Sequence, residues 1–385
     1  MSAPQIPNLL TSRGGPRSRG GRGRGSSRLA GRGEASGPNA QRKDLAIQST
    51  DTDAAVSRLS AVSLGYLEDP FASLFVGREL TRRMPIINRG TYTRTTALDI
   101  LINAFLSHPK SDTKPQKKQI ISLGAGTDTR YFRLRSKNKH NNLIYHEFDF
   151  PSVSTTKSRT VSNNRLLSNN QEEALFPEFK SPAFGLPQQD EDWGVNTTRD
   201  EVSEMTYCCH PMDLRQLPHL KDVHDIRGLQ TDIPTLIISE CCLCYLETDT
   251  ARDVVKWFTD RIPSAGIVLY EPIGINDAFG QVMVSNLASR GISMPTLEHY
   301  KTLSDQKSRL LELGFKGDGD DGGQEAETIE NIWQNWVPSL EKERVDRLEG
   351  LDEVEEWQML ARHYAVVWGW RGSAGWEGWS GLRGQ

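Results

Sequence analysis

The chain of 385 residues has a formal net charge of −4, with 36 % hydrophobic and 25 % charged residues, a composition that suits a folded protein of one large or two ordinary domains. No stretch approaches the roughly 20 apolar residues of a membrane span, and no apolar signal-peptide core opens the chain, so neither membrane insertion nor secretion is expected. Five cysteines are too few for a disulfide scaffold, which points to a reducing, cytoplasmic setting.

Charge is spread unevenly. Residues 1–44 hold nine Arg and Lys against two acids, so the rest of the chain is acidic. This arm is built from Gly, Arg and Ser with no apolar period, and is expected to be disordered. Arg-Gly runs can hold single-stranded nucleic acid, but the arm lacks the aromatics on which bases stack, and a solvated tail is the simpler reading. Its glycines also argue against an amphipathic organelle presequence. The arm leaves a nuclear location open.

From about residue 45 to 370 strand-like and helix-like segments alternate. Leu98, Leu101, Ile102 and Phe105 fall on one helical stripe, and residues 50–110 are expected to form a helical cover. QIISL (119–123), LIYHEF (143–148), TLIIS (235–239) and IVLY (267–270) are short and apolar on both faces, as central strands of a parallel sheet are. MTYCC (205–209) and HYAVVW (363–368) are further candidates. Residues 184–203 read as an inserted loop. Ala251, Val254, Val255, Phe258 and Ile262 mark another helix, and Leu303–Leu313 a third that ends at Gly314. Elements around 280–315 are candidates for a substrate lid. Residues 317–327 read as an acidic loop, Glu341–Glu349 as a solvated helix face, and 371–385 as a flexible tail. The alternation implies an α/β fold with a Rossmann-like, doubly wound, mostly parallel sheet. Such sheets bind ligands outside the carboxyl ends of their strands.

The strand ends carry the candidate chemistry. After the first strand, Leu123-Gly124-Ala125-Gly126-Thr127-Asp128-Thr129 lets the backbone turn sharply against a ligand. A dinucleotide turn would place a third glycine where Thr129 stands, and Asp128 would repel a phosphate there. Asp149, about 20 residues past the turn, suits a ribose diol. Ribose without phosphate points to S-adenosylmethionine. Asp213 can accept the adenine amine while Leu214 packs on the ring, and Glu240 can meet the amino group of the methionine moiety. Glu271 is a similar candidate. Each acid alone is as readily a solvated strand end; their joint placement carries the reading.

With these residues the sequence resembles the leucine carboxyl methyltransferases. The matching stretches are Ala61–Tyr66, Ile87-Asn88-Arg89-Gly90 running to Arg94, Leu123–Thr129, Phe148–Pro151, Asp213-Leu214-Arg215, Glu240–Tyr245, Phe279–Met283 and Arg362-His363-Tyr364, spanning roughly residues 50 to 368. The resemblance implies methylation of the C-terminal leucine carboxylate of the protein phosphatase 2A catalytic subunit by S-adenosylmethionine, without a metal. It implies that Gly124, Asp149, Asp213, Leu214 and Glu240 contact the cofactor. It further implies that Arg94 binds the methionine carboxylate beside the substrate terminus, and that Tyr245 lies near the acceptor. Arg58 stands where the family has a lysine that helps close the cofactor site, and so replaces a point donor by a planar fork.

Methyl transfer to such an acceptor needs alignment at about 3 Å rather than a base, because a chain-terminal carboxylate of pKa about 3.5 is already ionised. Arg94 is expected to orient the acceptor and Tyr245 to tune its position. Cys241-x-x-Cys244, with Cys208, Cys209 and His210 upstream, has the look of a zinc set, but cysteines beside apolar strands are more simply small buried hydrophobes. Trp333, Trp336 and Trp357 read as core. Two alternatives keep or abandon the chemistry: an O-methyltransferase for a small molecule or a modified tRNA base, and a non-catalytic RNA-binding protein using the basic arm.

Overall fold

The computed structural model describes residues 38–77, 81–107, 116–137, 142–167, 195–196, 206–316, 321–372 and 375–380. In chain order the elements begin with helices α1 (Pro38–Ser63) and α2 (Pro85–Leu106), followed by β1 (Lys118–Leu123), α3 (Arg130–Ser136), β2 (Leu143–Asp149), α4 (Pro151–Ser162) and the two-residue β3 (Val195–Asn196). Then come β4 (Thr206–Pro211), β5 (Thr235–Glu240), α5 (Thr248–Thr259), β6 (Ala265–Pro272), α6 (Ala278–Ser289), α7 (Pro295–His299) and α8 (Leu303–Glu312). The chain closes with β7 (Gly322–Thr328), α9 (Ile329–Asn335), α10 (Ser339–Asp346), α11 (Val354–Arg362), β8 (Tyr364–Arg371) and α12 (Glu377–Ser380).

The strands form one sheet in the order β3-β4-β2-β1-β5-β6-β8-β7. β4, β2, β1, β5 and β6 run parallel; β8 is antiparallel to β6 and to β7, and β3 antiparallel to β4. This is the expected Rossmann-like, doubly wound, mostly parallel α/β fold. The chain steps outward from β1 to β2 and β4, then returns to place β5 on the other side of β1. That reversal opens a crevice at the carboxyl ends of β1 and β5.

Strand alternation explains the two-sided core. Ile120, Leu236, Ile238, Val268 and Val366 pack with α2 residues Leu98, Leu101, Ile102 and Phe105 on one face. Their neighbours Ile121, Ile237, Ile267, Leu269 and Val367 pack with α5 residues Val254, Val255 and Phe258 on the other. α8 ends as its sequence suggests: Gly314 has φ +94°, its N–H reaches Leu311 O, and Phe315 N–H reaches Leu310 O, the paired bonds of a Schellman cap.

Several boundaries differ from the sequence reading. α1 begins at Pro38, so residues 38–44 are helical rather than part of the arm; residues 1–37 lie outside the described residues. The inserted loop 184–203 also lies outside them, apart from β3. Most of the acidic segment 317–327 is strand: β7 pairs along β8 from Gly322 to Thr328, and sheet pairing outweighs its poor β propensity. Glu349, read as solvated, is buried, accepting from Asn88 Nδ2 at 2.8 Å and pairing with Arg82 at 2.5 Å. The tail differs most. Trp376 and Trp379 are fully buried against each other, with Trp376 stacked on Phe105 at 4.8 Å and Trp379 Nε1 donating to Leu101 O at 2.8 Å. No helix among the described residues is long and apolar enough to cross a membrane.

The Trp379 indole locks the chain end onto α2. Trp379→Ala is expected to cost about 3–5 kcal/mol of unfolding free energy, read as a lower midpoint in denaturant titration at unchanged m-value.

Candidate active site

A cavity of about 360 Å³ lies over the carboxyl ends of β1 and β5, roofed by α1 and α2. Its floor is the Gly-rich turn. Gly124 has φ +63° and Gly126 φ +47°, backbone angles that favour glycine. Space also demands glycine: a Cβ on Gly124 would lie 2.5 Å from Cys242 Sγ, and one on Gly126 would strike the Asp51 carboxylate.

Asp149 at the tip of β2 accepts from the N–H groups of Gly126 and Phe150, both at 2.7 Å. Burial pushes its carboxyl up to about 6 despite these two donors. Asp51 reaches down from α1 and accepts from Thr127 N at 2.7 Å and Thr127 Oγ1 at 2.8 Å. Sequence reasoning missed Asp51, because nothing in a polar helix announces which of its acids caps a distant turn.

Glu240 closes β5 between two guanidiniums. Its Oε2 accepts from Arg94 Nε at 2.6 Å and its Oε1 from Arg130 Nη2 at 2.7 Å. Burial would raise its pKa, but Arg94 and Arg130 overcome that and hold it at about 2. Burial likewise opposes the charge on Arg94, and Glu240 more than restores it. The Arg94 guanidinium also lies over the Tyr270 ring, 4.4 Å from its centroid. Arg130 was not singled out from sequence. Its signal is the Asp128-Thr129-Arg130 run at a helix start: Asp128 Oδ2 takes Arg130 Nη1 at 2.5 Å and swings the guanidinium toward β5. Cys241, next after Glu240, is one of two described non-glycine residues with positive φ, at +47°, which turns the chain off the strand at the cavity wall.

Arg58 also lines the cavity. Its Nε pairs with Asp69 at 2.5 Å, and its buried Nη2 has no hydrogen-bond partner among the described residues, which leaves a donor for an anionic group. Burial, with repulsion from Arg133, lowers its pKa. Tyr245 lines the cavity too, and burial together with Cys244 lifts its phenol well above the ordinary value, so it is a neutral donor at physiological pH.

Not every candidate converges. Gly124, Asp149, Glu240, Arg94, Arg58 and Tyr245 line the cavity; Asp213 and Leu214 do not. Asp213 caps its own turn and grips Arg215, which also holds Asp44 of α1 at 2.8 Å. Leu214 packs into the core below. They remain beside the site, since Met212 N–H bonds Asp149 O at 2.8 Å. Glu271 is withdrawn altogether: it is buried against Arg309 at 2.6 Å. Of the tryptophans, Trp357 is core and also cavity wall.

Among the described residues Cys241 and Cys244 belong to no group of three or more possible metal donors. The donors that cluster are His146, Cys208 and His210, all buried. The imidazoles bond each other, Nδ1 to Nε2 at 2.9 Å, and His146 Nε2 meets Gln119 Oε1 at 3.2 Å. Burial drives His146 down to about 3 and His210 also far below its usual value, while the Cys208 thiol is pushed up to about 12. The three groups are buried, and burial favours the neutral form of each: a hydrogen-bonded histidine pair beside a thiol.

A mostly parallel wound sheet with a glycine turn, a strand-end acid and a paired Arg–Glu at its reversal defines a Rossmann-like α/β domain with a cavity at its switch point. The sequence profile of the leucine carboxyl methyltransferase family matches residues 46–259. Leucine carboxyl methyltransferase 1 of Emericella nidulans is 46 % identical over 409 residues, covering 100 % of this chain and 99 % of that protein. The Aspergillus fumigatus protein of the same name is 45 % identical over 426 residues, covering 100 % of this chain and 99 % of its own. Human tRNA wybutosine-synthesizing protein 4 is 32 % identical over 86 % of this chain, which spans 45 % of that protein. The chain belongs to the leucine carboxyl methyltransferase family.

The histidine pair gives a pH prediction. A native pKa of about 3 for His146 lies below its unfolded value near 6.5, so the unfolded chain binds more protons across that interval. Stability is therefore lost as pH falls from about 6.5 toward 3. Replacing both rings (His146→Phe with His210→Leu) is expected to shrink the stability drop between pH 7 and pH 4.5 by about 2 kcal/mol or more, measured by urea titration at both pH values.

Proposed function

We propose that this protein transfers the methyl group of S-adenosylmethionine to the α-carboxylate of a C-terminal leucine, with the protein phosphatase 2A catalytic subunit as its partner. One observation carries the reading: Arg94 and Glu240 stand side by side at the end of β5, 2.6 Å apart, in the cavity that the Gly turn floors. A guanidinium and a carboxylate so placed are the mirror image of an amino acid's ammonium and carboxylate. The methionine end of the cofactor fits them, its carboxylate on Arg94 and its amine on Glu240. Asp149 accepts from the ribose hydroxyls. Asp213 and Leu214, on the flank next to Asp149, reach adenine if the Arg215 pair yields Asp213 to the exocyclic amine.

The reaction is a displacement in which an acceptor oxygen forms a bond to the methyl carbon as the S–CH3 bond breaks, and the pair of electrons stays on sulfur. The sulfonium becomes a neutral thioether and the carboxylate a neutral ester, so charge is annihilated and water exclusion favours the step. No proton moves, and no histidine is among the described residues that line the cavity. Arg94 draws the acceptor carboxylate in, and the Tyr245 phenol positions it without binding the reacting oxygen as tightly as a second guanidinium would. Burial keeps the Cys242 thiol protonated, which removes a rival nucleophile from the methyl group.

A second reading has specific support in the human relative whose name concerns tRNA wybutosine. It would keep the same cofactor and direct the methyl group to a modified tRNA base.

With labelled cofactor, a peptide ending in a free leucine is expected to be methylated, and the same peptide amidated to remain unlabelled; transfer to tRNA alone would favour the second reading. Arg94→Ala is expected to lower kcat/KM for the peptide by about 100-fold or more. Asp149→Asn is expected to weaken binding of S-adenosylhomocysteine by about tenfold or more in calorimetry, since an amide accepts from ribose less well than a carboxylate.

A further inference from the structure

Behind the Gly turn lies a second group of buried charges that the chemistry above leaves unused. Lys157 on α4 and Glu147 on β2 pair at 2.6 Å, with side chains 3 % and 1 % exposed. Tyr207 on β4 donates its hydroxyl to Glu147 Oε2 at 2.8 Å. The ammonium has a second acceptor, the main-chain carbonyl oxygen of Asp128, at 2.7 Å. Asp128 is the residue on which the turn closes. Its N–H bonds Ala125 O at 2.9 Å, and its carboxylate holds Arg130, which in turn holds Glu240.

A buried ion pair is a poor source of stability, because desolvation cancels most of the attraction, and such pairs are often replaced by apolar groups at no loss. What this one supplies is a fixed point. The Asp128 peptide sits between the glycines that face the cavity and the arginine that sets Glu240. A donor from below that holds its carbonyl decides where both ends of the turn lie. Lys157 can do this only with a counterion, and Glu147, itself braced by Tyr207, provides one.

We infer that Lys157 is a positioning residue for the cofactor site, holding the Gly124–Asp128 turn through the Asp128 carbonyl with Glu147 as its buried partner. The inference rests on the cofactor reading above and adds a residue to it that touches neither cofactor nor acceptor.

The test compares three full-length proteins by calorimetry with S-adenosylhomocysteine and by thermal unfolding. The double variant Lys157→Met with Glu147→Gln removes both charges at similar volume. It is expected to unfold near the parent temperature but to bind the product about tenfold or more weakly. Lys157→Arg keeps the charge and spreads it over a planar fork. It is expected to raise KM for the cofactor while kcat and the peptide KM at saturating cofactor stay at parent values. A double variant that folds and binds within about twofold of the parent overturns the inference. If the double variant does not fold, an unchanged cofactor KM in Lys157→Arg overturns it, and loss of folding in both assigns the pair to stability alone. No heat from the parent protein is a different failure, that of the cofactor reading itself.

Discussion

The site depends on one carboxylate held between two guanidiniums. Glu240 ends β5 with Arg94 at 2.6 Å on one oxygen and Arg130 at 2.7 Å on the other. Take the carboxylate away and half-buried Arg94 and buried Arg130, from different helices, lose the counter-charge they share. The three side chains come from β5, α2 and α3, so the contact also fixes the cover of the site to its floor. The sheet makes this possible by bringing β5 beside β1, and the positive φ of Cys241 ends the strand at that point.

The roof is attached differently from the floor. From Asp44 to Asp53, α1 meets the domain through polar side chains: Asp44 with Arg215, Gln48 with Ser152, Asp51 with Thr127, and Asp53 with Arg83 and Arg290. Farther along, Ala55 and Ala61 are buried, and Ser60 bonds Asn88 at 2.8 Å. Breaking a partly exposed ion pair costs about 0–1 kcal/mol, far less than exposing a core stripe. This stretch of α1 is therefore a less costly wall to displace than one seated on a core stripe.

Much of this was legible in the sequence. Short runs of four to six residues, mostly apolar, marked all the parallel strands, since a strand buried on both faces has no alternation to hide. The strand-end acids Asp149 and Glu240 followed from the rule that such sheets bind at their carboxyl ends. What the sequence concealed has physical reasons. Glu271 ends β6 just as Glu240 ends β5, but only packing reveals that Arg309 lies beside it. The acidic stretch from Gly322 becomes β7 because β8 offers it a ladder, which propensity does not see. Trp376 and Trp379 sit among glycines with no period, so nothing local shows that α2 receives them. Asp51, Arg130 and Lys157 act across distances of 76, 110 and 29 positions in the chain, and no window reads those.

The pairing of Arg94 with Glu240 also bears on the proposed cofactor. Two opposite charges facing the cavity would be costly apart, and each answers the other. A ligand that brings one charge can satisfy one member only by stranding its partner. A ligand that brings a carboxylate and an ammonium on one carbon exchanges the single Arg94–Glu240 pair for two, with no net charge buried. Arg130 keeps Glu240 ionised throughout the exchange, so that Arg94 can turn to the incoming carboxylate without leaving its former partner bare. For the proposed cofactor, selectivity for its amino-acid end would follow from charge balance alone.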